Sequence, residues 1–238
     1  MAPPFTSLYA ALNSARRKLV IIALSQNSPP AFNTTPTVLI LIAVNVGIHL
    51  VRLVLPGSWD EYIGILGAFS PPYFLSIIMG EGSLLGFILL FSPISYGFLH
   101  GDLLHLVINM AFLLAFGTAI ERRLGRVRFL GLYFICMLAG AGASLGLFFI
   151  TLEQTFMVGA SGAISGLFGA VLRMTMARAY VAIAVFVGLN VIIGYTGMPS
   201  MGEVRAIAWE AHIGGLIAGF LLMPLFDRKV GQLTPGKR

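Results

Sequence analysis

The sequence predicts an all-α membrane protein, a bundle of six transmembrane helices. Of its 238 residues, 58% are hydrophobic and only 10% are charged, and the mean hydropathy is +0.92. A soluble domain of this size needs more charge to cover its surface. The apolar residues also gather into runs that approach the roughly 20 residues a helix needs to cross a bilayer, and basic residues lie at alternate ends of those runs. The formal charge of +6 therefore indicates orientation in a membrane rather than binding to nucleic acid.

Six apolar runs are candidate spans, of which the fourth is short and rich in glycine. They extend approximately over Thr37–Leu55, Leu103–Ile120, Phe129–Ile150, Ser161–Met176, Tyr180–Tyr195 and Ala206–Phe226. A seventh run, Tyr73–Phe91, is interrupted by the Gly-Glu-Gly sequence at 80–82 and flanked by prolines.

The basic residues decide between six spans and seven. With the N-terminus in the cytoplasm and six crossings, every Lys and Arg except Arg52 and Arg205 falls on the cytoplasmic side or at its boundary. A full span at Tyr73–Phe91 would reverse everything after it and export the arginine clusters, against the positive-inside rule. We therefore predict that both termini are cytoplasmic and that Tyr73–Phe91 belongs to a long outer loop, about Pro56–Asp102.

The sequence further predicts one domain with two short extensions. Residues 1–35 are interpreted as a cytoplasmic or interfacial segment, because the apolar stretch after the basic residues at 16–18 is shorter than that of a signal peptide, the alternative. Residues 36–226 form the six-helix domain and residues 227–238 a basic cytoplasmic tail. The single cysteine, Cys136, can form no internal disulfide.

Polar side chains inside the predicted spans lie near the starts of three helices. Ser161 opens the fourth, His212 lies near the start of the sixth, and His105 and Asn109 share one face of the second. These helices run in the same direction, so His105, Ser161 and His212 are expected at similar depth, with Asn109 one turn deeper. A serine needs a base to activate it, and the oxyanion that forms needs preplaced donors. The set therefore indicates acyl-transfer chemistry.

Glycines four residues apart predict which helices pack closely. Small residues let helix backbones approach each other in lipid. The pairs are Gly142 and Gly146, Gly162 and Gly166, and Gly215 and Gly219. Close packing of the fourth and sixth helices would bring Ser161 within hydrogen-bond reach of His212.

Each of these signals alone has a structural interpretation. Ser161 could bond to a backbone carbonyl, His212 could be a core histidine, and His105 and Asn109 could link helices. His100 could be a solvated loop residue, and we interpret His49 as structural or interfacial. Ser165, on the same face as Ser161, is the rival nucleophile. These structural interpretations are less favoured when the residues are considered together, because they are expected at similar depth in the membrane.

Three motifs, in the expected order of helices, resemble those of the rhomboid family of intramembrane serine proteases. GASG at Gly159–Gly162 is similar to the G-x-S-G nucleophile motif. HGDLLHLVIN at His100–Asn109 resembles H-x-x-x-x-H-x-x-x-N on the second helix, and AHIGG at Ala211–Gly215 resembles A-H-x-x-G on the sixth. The resemblance covers roughly Pro36 to Phe226.

The resemblance implies a role for each motif residue. Ser161 would be the nucleophile and His212 the general base and then general acid, a dyad without an acidic third member. The side chains of His105 and Asn109, with the Ser161 backbone N–H, would form the oxyanion hole, without metal or cofactor. The fifth helix would gate substrate access. His100, Gly159, Gly162 and Gly215 would support the site, Gly215 by close contact with the fourth helix.

Two positions depart from the family's pattern. Many members carry a Trp-Arg pair in the outer loop, where this sequence has Phe91 and Ser92. Some members stack an aromatic residue on the catalytic histidine, where this sequence has Ser165. His212 must therefore be oriented by packing or by hydrogen bonds.

The resemblance predicts an intramembrane serine endopeptidase that cleaves transmembrane segments near the outer membrane boundary through an acyl-enzyme. Its partners would be single-span membrane protein substrates and the lipid bilayer, not nucleic acid, and its location the bacterial inner (plasma) membrane. The alternative is a non-catalytic rhomboid-like protein that binds clients. A transporter would need ionisable groups deep in the bundle, and the deep segments contain almost none. The sequence does not indicate an oligomeric state.

Overall fold

The computed structural model describes residues 34–81, 84–153, 155–175, 179–196, 198–200, 203–205 and 208–227. The predictions for residues 1–35 and 227–238 fall almost wholly outside these ranges, so those segments, like the domain boundaries, stay predictions.

Helices make up nearly all of the described chain. The α-helices are α1 (Pro36–Val54), α2 (Gly57–Gly67), α3 (Pro71–Ile78), α4 (Ser92–Ser95), α5 (Leu103–Phe112), α6 (Thr118–Leu124), α7 (Arg126–Thr151), α8 (Ser161–Thr175), α9 (Ala179–Thr196) and α10 (Trp209–Phe226). Short 3-10 helices cover Leu84–Phe91 and Tyr96–Phe98, and a π-helical segment, Leu113–Gly117, joins α5 to α6. Strands β1 (Met198–Ser200) and β2 (Glu203–Arg205) pair antiparallel between α9 and α10.

Four of the described helices are long and apolar enough to cross a membrane. They are α1, the continuous helix Leu103–Leu124, α7 and α10. The fourth and fifth predicted spans are shorter: α8 has 15 residues, and the apolar part of α9 is Tyr180–Ile192. The all-helical fold is confirmed, whereas the count of six spans and the side of the termini stay predictions.

The outer-loop segment Tyr73–Phe91 is not one helix. Helix α3 ends at Ile78, and the chain turns at Gly80, whose φ of 83° lies in the region that favours glycine. The next helix that the structure describes begins at Leu84. The predicted break therefore lies where the Gly-Glu-Gly sequence interrupts the apolar run.

Arg52 connects the end of α1 to the outer loop. Its guanidinium pairs with Asp60 of α2 at 2.7 Å and donates from Nη1 to the His100 carbonyl at 3.1 Å. Arg52, one of the two exceptions to the predicted charge distribution, thus has its charge paired within the protein.

Glu121 of α6 connects the end of the Leu103–Leu124 helix to the start of α1. Its carboxylate accepts hydrogen bonds from the Thr35 hydroxyl and, at 3.1 Å, from the Val38 N–H in the first turn of α1. It thereby satisfies an N–H that has no partner within the helix. Glu121 is buried, so it is a structural cap rather than part of a solvated charge cluster.

Helix α8 lies at the centre of the described bundle, and its glycines face α10. A Cβ on Gly215 would lie 1.9 Å from the Gly162 carbonyl oxygen, and one on Gly219 would lie 1.8 Å from the Gly166 carbonyl oxygen. The two backbones therefore touch, as the glycine spacing in these two helices predicts.

The same prediction for the third helix is wrong. A Cβ on Gly142 or Gly146 would meet nothing within 4 Å, whereas one on Gly140 would lie 3.0 Å from the Ala211 carbonyl oxygen of α10. Successive helical residues are about 100° apart, so Gly140 and Gly142 lie on nearly opposite faces. A glycine pair supports packing only on the face that a neighbouring helix covers.

Gly219→Ala and Gly142→Ala test this difference with the same chemical change. Gly219→Ala forces α8 and α10 apart and should lower stability by about 1–3 kcal/mol or more. Gly142→Ala has open space and should raise stability by up to about 1 kcal/mol, because alanine is the better helix former. Thermal unfolding in detergent micelles measures both. Equal effects of the two variants would contradict the described helix contact.

Candidate active site

Backbone contacts from the outer loop hold the segment that leads into Ser161. Phe69 and Met157 exchange two backbone hydrogen bonds of 3.0 and 2.8 Å, and the Gly159 N–H donates to the Tyr96 carbonyl at 2.9 Å. The φ of Gly159 is 116°, a conformation that residues with a Cβ rarely adopt. These constraints fix Ser161 as the first residue of α8.

Tyr96 anchors this part of the outer loop to the bundle. It is fully buried, and its hydroxyl donates to the Met137 carbonyl of α7 at 2.7 Å. Its hydroxyl oxygen also lies 2.9 Å from where a Cβ on Gly162 would be. The sequence showed only that Phe91 and Ser92 depart from the family's Trp-Arg pair; Tyr96 was missed, because no motif distinguishes it from the other aromatic residues of the loop.

His212 and Ser161 are in direct contact. His212 lies in the first turn of α10, and its Nε2 is 2.7 Å from the Ser161 Oγ of α8. The contact between Gly215 and Gly162 brings the two first turns together, because Gly215 lies within one turn of His212 and Gly162 follows Ser161 directly. Ser165, the rival nucleophile, is buried one turn further along α8.

A third polar residue, Asn190, completes this arrangement. It was not among the site residues predicted from the sequence. The other ring nitrogen of His212, Nδ1, lies 2.5 Å from Asn190 Oδ1. The Asn190 amide in turn donates from Nδ2 to the Phe186 carbonyl at 2.8 Å. The signal was available, because Asn190 is the one amide side chain in the apolar run that forms α9, and polar groups in such runs need partners.

The first turn of α5 positions His105. Asp102 caps the helix, its Oδ1 accepting from the His105 N–H at 2.8 Å, which is the usual role of Asp before a first helical turn. A Cβ on Gly159 would lie 2.7 Å from His105 Nε2, so the ring rests against the backbone just before Ser161. Gly159 is therefore needed both for its φ and for the space that His105 occupies.

Asn109 lies one turn deeper on the same helix and is almost fully buried. Its Nδ2 donates to the His105 carbonyl at 2.9 Å. An amide nitrogen carries two hydrogens, so a second donor remains on this side chain beyond the intrahelical bond.

His100 is not a solvated loop residue. It is 1% exposed, and its ring meets that of His105 edge-on with centroids 5.1 Å apart. Neither ring nitrogen has a hydrogen-bond partner among the described residues. Burial lowers the pKa of His100 to about 3, with smaller contributions from His105, His49 and Arg52, so the ring is neutral at physiological pH.

The arrangement can support nucleophilic catalysis. A serine hydroxyl within hydrogen-bond reach of a histidine that is itself oriented by a third group is the pattern of an activated nucleophile. Among the described residues, no group of three or more His, Cys, Asp or Glu side chains could hold a metal ion. The expectation that no metal or cofactor takes part stays a prediction.

Comparison with known proteins identifies the family of this fold. A family model described as the Rhomboid domain matches residues 89–229. RHOMBOID-like protein 4 of Arabidopsis thaliana is 34% identical over 142 residues, which cover 54% of this chain and 32% of that protein. Rhomboid protease GluP of Bacillus subtilis is 36% identical over 123 residues, covering 51% and 23%. Putative rhomboid protease YdcA of the same species is 33% identical over 144 residues, covering 55% and 64%. Each alignment spans less than two thirds of the relative's own length.

The buried neutral state of His100 predicts a pH dependence of stability. Below about pH 6.5 the unfolded chain binds a proton at this position and the folded chain does not, so the stability that His100 contributes is complete above pH 6.5 and is lost as pH falls toward 3. The slope approaches about 1.4 kcal/mol per pH unit. His100→Gln cannot titrate and should lack this component. Unfolding free energies of both proteins in detergent between pH 7 and 4 measure it, and parallel curves would contradict the assignment.

Proposed function

This chain belongs to the rhomboid family and is an integral membrane protein, and from that premise we propose that it is an intramembrane serine endopeptidase. Relatives named as rhomboid proteases support the proteolytic activity. The observation that carries the proposal is the 2.7 Å contact between Ser161 Oγ and His212 Nε2.

Peptide cleavage follows from that contact in two steps. His212 Nε2 accepts the Ser161 proton as Oγ attacks the scissile carbonyl carbon, and the carbonyl oxygen becomes an oxyanion. When the tetrahedral intermediate collapses, the C–N bond breaks, and His212 gives the proton to the leaving amine. Water then attacks the acyl-enzyme with His212 again as base, releasing the new carboxyl terminus and restoring the serine.

Oxyanion stabilisation is assigned to three donors. The Ser161 backbone N–H lies at the start of α8, where the first N–H groups of a helix have no intrahelical partner and the helix dipole favours negative charge. The His105 ring against Gly159 and the second Asn109 amide hydrogen supply side-chain donors from α5. Donors that are already in place need no rearrangement as charge develops.

The substrates proposed are single-span membrane proteins, cut near the outer membrane boundary. A helical peptide hides its carbonyls in intrahelical hydrogen bonds, so the reacting segment must unwind before Ser161 can attack. This assignment assumes six spans with both termini in the cytoplasm, so that the starts of α5, α8 and α10 face the outer side. The relatives come from plants, a parasite and a bacterium, and one is named mitochondrial, so the bacterial inner membrane stays a prediction.

The alternative is a non-catalytic family member that binds membrane clients. Several relatives carry the name RHOMBOID-like protein, which states no activity. The contact of Ser161 with His212 favours the enzyme, because a client-binding protein has no need of a base beside a serine.

Labelling by a serine-reactive fluorophosphonate distinguishes these functions. Wild type should be labelled in detergent, Ser161→Ala should not, and His212→Ala should react far more slowly because the hydroxyl loses its base. Ser165→Ala is the matched control and should keep the label. A folded wild type that takes no label would support the client-binding alternative, and label lost only in Ser165→Ala would identify the rival nucleophile.

Asn109→Ala tests the oxyanion assignment. Loss of one such donor should lower kcat by about 100- to 1000-fold, measured with a fluorogenic transmembrane peptide. Asn45→Ala is the control, because Asn45 also donates from Nδ2 to the carbonyl four residues earlier, at 2.8 Å, but lies in α1. Equal rate losses in the two variants would assign Asn109 a structural role only.

A further inference from the structure

The His212 ring has a polar partner on each side. Ser161 Oγ lies 2.7 Å from Nε2 and Asn190 Oδ1 lies 2.5 Å from Nδ1. The serine is the nucleophile of the proposed reaction. Asn190 lies on α9, a different helix from both members of the dyad, and its position at the far side of the ring points to a role of its own.

The hydrogen bond to Phe186 decides which end of the Asn190 amide faces the histidine. The Phe186 carbonyl can only accept, so the amide atom 2.8 Å from it is the donating nitrogen. The opposite orientation would set two oxygens against each other. The amide oxygen is therefore the atom that faces His212 Nδ1.

An amide oxygen only accepts, and this determines the tautomer of the neutral ring. Nδ1 must carry the proton that Asn190 receives, so Nε2 holds the lone pair. That lone pair is directed at the Ser161 hydroxyl, the form a general base requires. With the other tautomer, Nε2 would carry a proton and could not accept one from serine.

Aromatic packing holds the turn of α9 that presents Asn190. The Phe186 ring, one turn earlier, lies 5.4 Å from the ring of Phe168 on α8, and Phe168 in turn lies 5.1 Å from Phe116 of the π-helical segment. The residue whose carbonyl orients the amide is therefore itself fixed against the helix that carries the nucleophile.

We propose that Asn190 is a positioning residue of this enzyme: it holds His212 in the tautomer and rotamer that accept the Ser161 proton, and makes α9 a third contributor to the site. The inference rests on the proposed function. When the ring is protonated during the reaction, the bond to Asn190 becomes charge-assisted and stronger. A neutral amide provides this without placing an ionised carboxylate in an apolar helix.

Three substitutions at position 190 distinguish the effect of losing the hydrogen-bond acceptor from the effect of losing side-chain volume. Asn190→Leu keeps most of the volume and removes the acceptor, and Asn190→Ala removes both. Asn190→Asp, as the neutral acid that an apolar helix favours, keeps an acceptor oxygen for His212 and an O–H donor for the Phe186 carbonyl. Asn45→Ala, which removes the same kind of intrahelical amide bond from α1, reports the cost to the fold alone. Wild type and Ser161→Ala set the upper and lower limits of turnover.

Asn190→Leu and Asn190→Ala should lower kcat by about 10- to 100-fold, by analogy with the loss of a partner that orients a metal-ligating histidine, with KM little changed. The acid limb of their kcat/KM profile should move to lower pH, because the imidazolium has lost an acceptor. Asn190→Asp should keep most of the wild-type rate, and so should Asn45→Ala. A fully active Asn190→Leu, or an Asn190→Asp as slow as Asn190→Leu, would overturn the proposal while leaving the enzyme assignment intact.

The tautomer itself provides a test that does not need turnover. The chain has four histidines, and comparison with His212→Ala assigns the His212 signals in a spectrum of protein labelled with 15N-histidine. At neutral pH the wild type should show a protonated Nδ1 and an unprotonated Nε2, and Asn190→Leu should lose that preference. A proton on Nε2 in the wild type would overturn the proposal, whether or not the protein cleaves any substrate.

Discussion

The backbone contact between α8 and α10 is the constraint on which the rest of the site depends. Glycine at 215 and 219 leaves room for the carbonyl oxygens of Gly162 and Gly166, less than 2 Å from where side-chain carbons would be. In lipid the hydrophobic effect does not bring helices together, so close van der Waals contact must do it. The contact begins within one turn of Ser161 and of His212, and it brings these two side chains together across a gap that larger residues would keep open.

The loop between α1 and α5 completes the site at the first turns of α8 and α5. The Tyr96 carbonyl and the backbone of Phe69 hold the segment before Ser161, while Arg52 reaches from α1 to the His100 carbonyl. These are contacts between residues far apart in sequence. They anchor the loop in a chain that has Phe91 and Ser92 at the place of the Trp-Arg pair of many family members, and Tyr96 reaches from the loop to α7 through its hydroxyl.

Three asparagines within apolar helices make the same hydrogen bond to their own helix backbone. Asn45, Asn109 and Asn190 each donate to the carbonyl one turn earlier, at 2.8 to 2.9 Å. An amide in an apolar span must satisfy its polar atoms locally or with a neighbour. The local bond uses one hydrogen and leaves the rest of the amide for other partners. In Asn190 the remaining oxygen faces His212 Nδ1, and in Asn109 the remaining hydrogen is available near the proposed oxyanion hole.

The sequence by itself determined the helices and predicted the residues of the candidate site. Apolar run lengths located α1, the Leu103–Leu124 helix, α7 and α10 to within a few residues, because a chain in lipid must satisfy its backbone within each helix. Motif spacing selected Ser161, His212, His105 and Asn109, since one turn of helix sets which residues share a face. Only the tertiary structure decided the rest. Which glycine face of α7 is covered, that Tyr96 anchors the loop, and that Asn190 of α9 meets the far side of His212 all depend on how helices rotate against one another. Periodicity within a single helix does not carry that information.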